Sequence, residues 1–444
     1  KIALRNLGKH RLYSFINISG LALGIAACLV IAHYVIFQLS FDKEFNNSDT
    51  LYRVHMTRYQ NGADQGTDPN VGFGLGPAIK IAAPEIQQAS LIHQYYEGAI
   101  VSKSIDSINF TPFQEKNILF VEPAFVDMFS LKFLAGDPKT ALDNPKSVII
   151  SESIAKKYFG ETNSLLTGET LNIVGSWGES GSFIISGIIE DFPDNSHLDF
   201  DILLPMSNVM KDSQYQGEEA AWGWSNFELY VQLVPQTTEA IVEGKIASLM
   251  KLYVGEEMEE NGEERIPSIQ SIKELHLNSE RTGEEGAMTS IYFLILIASF
   301  ILVIAWINFI NLSTAKAAER SREVGVKKAM GALKKQIVFQ FLTESFWLNL
   351  FATALGIGMA FFLLPEMGLI IGEDLSLDLT NEVTLIIIGG MVFIGPILAG
   401  IYPAFVMSAF KTTDSLKGNK SLGNGKLPLR KVLVVFQFVI STLM

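Results

Sequence analysis

The chain has 444 residues, 48% of them hydrophobic and only 18% charged, with a formal net charge of −13. Overall charge misleads until it is divided by position, and no nucleic-acid partner is expected. The single cysteine, Cys28, excludes a disulfide framework and a thiolate metal cluster.

Residues 1–17 carry four Lys/Arg and no acid. They precede an apolar run, 18–39, long enough to cross a hydrocarbon core. A basic start and an apolar run also fit a secretory signal, and Ile25-Ala-Ala-Cys28 hints at lipoprotein processing. Eleven mostly apolar residues follow Cys28, where a processed lipoprotein has a polar tether, so the run reads as a retained span. His33 inside it reads as a packing residue rather than a proton relay.

Residues 40–288 hold 17 Lys/Arg against 38 Asp/Glu. A stretch of this length can bury its own core, and it reads as a mixed α/β domain in two lobes. Lys146–Ser151 is a short apolar strand, and Ser151 opens a helical pattern that Gly160 ends. Phe183–Glu190 reads as a buried strand, Glu228–Val234 as a half-buried one and Thr237–Tyr253 as a helix. The acidic run Glu256–Glu264 reads as a solvated loop.

No catalytic residue and no metal site is expected here. Ser153-Ile-Ala-Lys156 matches a Ser-x-x-Lys hydrolase pattern, but no Lys-Thr-Gly follows it. Asp191, Asp194, Asp199 and Asp201 with His197 fit neither a calcium loop nor a zinc helix, so turn and cap roles are expected.

Three further apolar runs follow, 291–312, 346–364 and 384–407, and a fifth begins at 432. The segments between them alternate in charge. Residues 313–336 hold seven Lys/Arg and two acids, 365–383 no Lys or Arg, and 408–431 six Lys/Arg and one acid. By the positive-inside rule the N-terminus and both basic segments face the cytoplasm, and the acidic domain and the 365–383 loop face out. Ionisable residues are confined to the ends of the runs, which predicts packed helices rather than a hydrophilic pore. Gly395-Pro396 and Gly400-Ile-Tyr-Pro403 are expected to kink span four. Gly418-Asn-Lys420-Ser421 lacks the first glycine of a phosphate-binding loop, so any ATP hydrolysis belongs to another polypeptide and the chain itself is not an enzyme. Leu427-Pro-Leu-Arg430-Lys431 and the apolar run after it resemble the opening of span one. They predict that the chain is the first half of a duplicated protein.

The fold expected is an α-helical multi-span membrane protein, with four complete transmembrane helices plus the start of a fifth. A large extracytoplasmic mixed α/β domain is inserted between spans 1 and 2. The alternative function for such a chain is a membrane-anchored sensor or scaffold with a ligand-binding outer domain, but no cytoplasmic output domain is seen.

Arg320-x-x-Glu323-x-Gly325-x-x-x-Ala329-x-Gly331-Ala332, followed by Gln340-x-x-x-Glu344-Ser345, closely resembles the cytoplasmic coupling element of MacB/FtsX-like ABC transporter permeases. Gly400-Ile-Tyr-Pro403-Ala404 with Leu416-Lys-Gly418 continues the likeness. The 40–288 region adds Phe41-Asp-Lys-Glu-Phe45, Leu51-Tyr-Arg-Val54, Ala155-Lys-Lys-Tyr-Phe-Gly160 and Asn195-Ser-His-Leu198. It departs only at Asn163–Gly168, where the family has a tight Asn-Pro turn. The resemblance implies that residues 313–345 form a coupling helix that docks on a cytoplasmic ABC ATPase dimer. Arg320, Arg322, Lys327 and Lys328 would meet an acidic groove, Gly325, Ala329 and Gly331 would allow close approach, and Glu323 and Ala332 complete the docking set. Gln340, Glu344, Gly400, Tyr402 and Pro403 would sit at the junction with the membrane. It also implies ATP and Mg on the partner ATPase, none in this chain, and a location in the bacterial inner membrane. The second half of the permease or a second permease, and a periplasmic or outer-membrane partner, are implied as well. Energy would pass by mechanotransmission to export or release peptide, drug or lipoprotein-type cargo, or to regulate an envelope partner.

Overall fold

The computed structural model describes residues 11–443 apart from 104–111, 161, 163, 176–179, 211–217, 224, 279–286, 320, 374 and 410–427. It divides into an α/β unit, Ser40–Met288, and a helical unit built from the chain on either side.

The first helix, α1, runs Arg11–Ser40 and carries the first apolar run. The α/β unit then opens with β1 (Leu51–Gln60), β2 (Ala63–Asp68), β3 (Asn70–Gly72), α2 (Leu75–Ala82), β4 (Ile86–Gln94), β5 (Ala99–Lys103), β6 (Phe113–Glu115) and β7 (Ile118–Val121). It continues with α3 (Ala124–Met128), β8 (Phe133–Gly136), β9 (Ser147–Ser151), α4 (Glu152–Phe159), β10 (Thr170–Val174), β11 (Gly181–Ile189) and β12 (Ile202–Pro205). It ends with α5 (Glu218–Gly223), β13 (Ser225–Leu233), α6 (Glu239–Asn261), β14 (Glu263–Ser271) and α7 (Ile272–Leu275).

Successive strand residues point to opposite faces of a sheet, so a strand covered on both sides must be apolar throughout. In five strands adjacent apolar residues enter opposite cores. Leu91, Phe120, Ile150, Leu204 and Val231 enter one core. Their chain neighbours Ile92, Leu119, Ile149, Leu203 and Tyr230 enter the other. The expected strands at 146–151, 183–190 and 228–234 correspond to β9, β11 and β13. Ser151 caps α4 by accepting a hydrogen bond from the Ile154 N–H, and the helix stops at Gly160 in the left-handed conformation.

The strands join one sheet in the order β14-β1-β13-β4-β7-β12-β9-β11-β10-β5-β6. The parallel β7–β12 pair and the antiparallel β12–β9 pair carry the ladder through its middle. The run Glu256–Glu264 is not a loop. It finishes α6 and starts β14, with a left-handed turn at Gly262 between them. Glutamate is a good helix former when its carboxylate faces water, and β14 is held by nine-residue pairing with β1.

The helical unit adds α8 (Ala287–Glu319), α9 (Ser321–Ala329), α10 (Lys334–Ile371), α11 (Glu382–Ala409) and α12 (Pro428–Leu443) to α1. Four of its helices, α1, α8, α10 and α11, are long and apolar enough to cross a membrane. The segment expected as one coupling helix, 313–345, is instead the end of α8, all of α9, a turn and the start of α10. Helix α10 runs through Pro365 to Ile371, so the loop expected from 365 begins later. A proline in a helix costs about 3 kcal/mol, which burial of Leu364 and Gly368 on either side helps to offset. Helix α11 likewise continues through Pro396 and Pro403.

Small residues set the helix spacing, as in membrane bundles generally. A Cβ added to Gly24 of α1 would lie 2.6 Å from Ala305 Cβ of α8, and one on Gly356 of α10 would lie 2.8 Å from Ile25 of α1. Between α10 and α11 the buried Asn349 donates to the Met391 carbonyl at 2.7 Å.

Candidate functional site

Helix α9 is only nine residues long and too polar to bury a full face, so something else must hold it. Val324 supplies an anchor. It packs with Ile337 and Phe341 of α10, and Val324 and Ile337 are 2% and 3% exposed. Burying such side chains contributes roughly 1.5–3 kcal/mol each, which exceeds any surface ion pair.

The turn that folds α9 back on α10 is built by the backbone. Gly331 has φ +92°, and its N–H donates to the Lys328 carbonyl at 3.0 Å, while the Ala332 N–H donates to the Lys327 carbonyl at 3.0 Å. This pairing closes a helix C-terminus through a left-handed residue, for which glycine carries no Cβ penalty. The N-terminus of α10 is closed in turn by the Gln336 side chain, which accepts from the Leu333 N–H at 2.9 Å.

Side chains then extend the connection. The Lys327 ammonium donates to Glu323 Oε1 at 2.7 Å and to Gln340 Oε1 at 3.0 Å, and Gln340 donates to the buried Glu344 at 3.0 Å. The Lys328 ammonium donates to the Ser408 carbonyl at the end of α11, at 2.7 Å. Burial holds its pKa below the usual lysine value, and the charge of Lys334 lowers it further. Gly400 lets α11 approach α10, because a Cβ there would meet Ser345 at 3.0 Å.

The expected residues therefore divide. Glu323, Lys327, Lys328, Gln340, Glu344 and Gly400 come together in one junction, with Tyr402 half-buried and Pro403 buried on α11. Ala329 is exposed on α9, whereas Gly325 is buried and Gly331 lies past the helix end. The three small residues do not form one docking face. Arg322 lies on α9, Ala332 is half-buried in the turn, and Arg320 is outside the described residues, as is 416–418. Val324, Ile337 and Ser408 are contributors that sequence reasoning missed. The apolar pair could be found from Val324 standing alone among charges, but a backbone carbonyl leaves no mark on a sequence.

A second polar cluster lies in the α/β unit, where the chain enters and leaves it. Asp42, whose side chain is wholly buried, accepts from Ser196 Oγ at 2.7 Å and from the His197 N–H at 3.2 Å, and lies 2.8 Å from His197 Nδ1. His197 Nε2 lies 2.8 Å from the Tyr230 hydroxyl, which donates to Glu228 at 2.7 Å, and Arg53 pairs with the same carboxylate at 3.4 Å. Burial, and then Glu228, hold the Tyr230 hydroxyl well above the ordinary tyrosine pKa. Asn195 donates to Ser40 Oγ at 3.0 Å. Phe41 stacks on His276 at 3.6 Å, and the His276 carbonyl accepts from the Ala287 N–H. Residues 40–42 and 287 are thus tied through one cluster.

Ser153 and Lys156 of the Ser-x-x-Lys pattern each have an acidic partner. Ser153 Oγ donates to Asp191 at 2.7 Å, and Lys156 pairs with Glu152 at 2.7 Å. Asp199 and Asp201 accept from Asn117 at 3.0 and 3.3 Å. No group of metal-binding side chains occurs among the described residues.

Residues 14–249 match the model of the MacB-like periplasmic core domain, and residues 295–411 match that of the FtsX-like permease C-terminal region. The chain belongs to the MacB/FtsX-like ABC transporter permeases. Every candidate residue of the junction, from 320 to 403, falls within the second match. The permease is 23% identical over 445 residues to a Bacillus subtilis protein named as an uncharacterized ABC transporter permease, YvrN, covering 94% of this chain and 98% of that one. It is 24% identical over 374 residues to the macrolide export ATP-binding/permease protein MacB of Acinetobacter baylyi, covering 80% of this chain and 50% of that protein. The solved periplasmic region of MacB from Actinobacillus actinomycetemcomitans aligns with 51% of this chain and 93% of that structure, at 15% identity and a TM-score of 0.34. The permease spans nearly the whole of the first relative and half of the second.

Proposed function

We propose that this permease passes the motion of a separate cytoplasmic ATPase dimer to its α/β unit, held outside the bacterial inner membrane. ATP and Mg sit on the ATPase. The observation that carries this reading is the tethering of α9. One face is fastened to α10 through Val324, Ile337 and Lys327, and to α11 through Lys328, while Ala329 stays exposed for a partner. A push on α9 therefore reaches two long helices without local unfolding. Helix α10 has 38 residues, about 57 Å at 1.5 Å per residue, against about 30 Å of hydrocarbon. The cluster at Asp42 and His276 stiffens the point where the chain enters and leaves the α/β unit.

The basic segments 1–17, 313–336 and 408–431 support the orientation, with α9 inside and the acidic unit outside. The cargo or envelope partner is the finer question. The name of the Acinetobacter relative makes macrolide-like amphiphiles the first class to test, ahead of peptides and lipoproteins.

The experiment is purification of the full-length permease from its own membranes in mild detergent, with mass spectrometry of what stays bound and an ATPase assay. Ala329→Trp is expected to abolish recovery of the ATPase while membrane insertion is unchanged. A preparation that carries no ATPase even after cross-linking would move the reading to a membrane-anchored sensor or scaffold.

A further inference from the structure

Where α10 begins and α11 ends, a cleft of about 510 Å³ opens beside the α9–α10 turn. Val338, Phe339 and Leu342 of α10 and Phe405 of α11 form its walls, and its charged lining is Lys334 and Lys335. Phe339 is 73% exposed and Phe405 61%. No carboxylate lines the cleft, and neither lysine has a hydrogen-bonded or ionic partner among the described residues. Lys328 cannot be counted as a third free cation, since its ammonium is held by the Ser408 carbonyl. It does add positive potential, and it stands close enough to feel the charge of Lys334.

These features call for an occupant that is apolar at one end and anionic at the other. An apolar protein segment seated here would leave two ammonium groups desolvated without partners, which is costly. A soluble phosphate would leave the aromatic walls in water. The apolar run 346–364 starts one helical turn beyond Leu342, so acyl chains resting on Phe339 and Leu342 would lead directly into the bilayer. We propose that the cleft binds one anionic phospholipid, its phosphate between Lys334 and Lys335 and its chains against Phe339, Leu342 and Phe405. The bound lipid bridges the start of α10 and the end of α11, the two elements that receive α9. It rests on the proposed orientation for its leaflet alone, the inner one, where juxtamembrane lysines meet anionic headgroups.

The test is native mass spectrometry of the full-length permease titrated with phosphatidylglycerol, phosphatidylcholine or glycerophosphoglycerol. One phosphatidylglycerol should be retained in preference to the other two. Each lysine near an anionic surface contributes about fivefold, so Lys334→Gln with Lys335→Gln should weaken retention about 25-fold. The corresponding double arginine variant should retain it. Equal retention of phosphatidylcholine, tight binding of the chain-free headgroup, or no change in the double glutamine variant would each overturn the proposal. ATPase recovery is read on the same preparations. ATPase lost with lipid retained counts against the coupling reading alone, and ATPase retained with no lipid selectivity counts against the cleft alone.

Discussion

Replacing Asp42 with Ala removes the acceptor at the centre of the cluster where the chain enters the α/β unit. The side chain is wholly buried, takes hydrogen bonds from Ser196 Oγ at 2.7 Å and the His197 N–H at 3.2 Å, and lies 2.8 Å from His197 Nδ1. Both donors would be left facing an apolar methyl group. Leaving a donor without its acceptor costs about 1–3 kcal/mol, so roughly 2–6 kcal/mol for the two. In a unit of about 250 residues each kcal/mol lowers Tm by about 2–4 °C, so the loss should be roughly 4–24 °C. The measurement is calorimetry on residues 40–288 produced as a soluble protein. Tyr230→Phe, which takes the hydroxyl from between His197 and Glu228, should cost about 1–2 kcal/mol. It should add less than its full effect to the Asp42 variant, because both act on one network. A Tm for Asp42→Ala within about 2 °C of the unsubstituted unit would refute the view that this cluster stiffens the entry to the α/β unit.

The other expectations are briefer. Gly331→Val forces a branched side chain into a left-handed turn with φ +92°, at a cost of at least about 1–2 kcal/mol. It should raise amide exchange across 321–333 five- to thirtyfold, by the usual conversion of that energy, and unchanged exchange would dismiss the cap. Gly24→Leu meets Ala305 Cβ at 2.6 Å from its first carbon. It should lower the thermal stability of the detergent-solubilised helical unit by about 1–3 kcal/mol, and an unaltered melt would argue against this helix contact. His93 and His276 are both held below the ordinary histidine value of 6.5, first by burial. Their stabilisation is present above that value and lost as pH falls through their folded pKa values. Asp199 and Asp201, raised by burial, carry the opposite sign. Denaturant midpoints of residues 40–288 at pH 7.5 and 5.5 should therefore fall with acid, and His93→Gln with His276→Gln should flatten the slope.

Several features of this protein follow from short stretches of sequence. The four long helices carry the four apolar runs because length and hydropathy are local properties, set against a hydrocarbon core of about 30 Å. Strand β9, the capped helix α4 and the stop at Gly160 were legible from a few adjacent residues. Local pattern misled where a charged run met a strong helix context, as at Glu256–Glu264. It also misled at 365–383, where the expected loop begins only after a helix that buried neighbours carry through Pro365.

What only the tertiary structure decided depends on residues far apart in the chain. Asp42 and His197, in two separate motifs, meet across 155 positions. Lys328 finds a backbone carbonyl 80 positions away. Gly325, Ala329 and Gly331 share spacing and size in sequence, yet one is buried, one exposed and one sits in the turn. Hydropathy and charge act through the residue itself, so they can be read along the chain. Exposure and pairing depend on what the fold brings against that residue, which no local pattern carries.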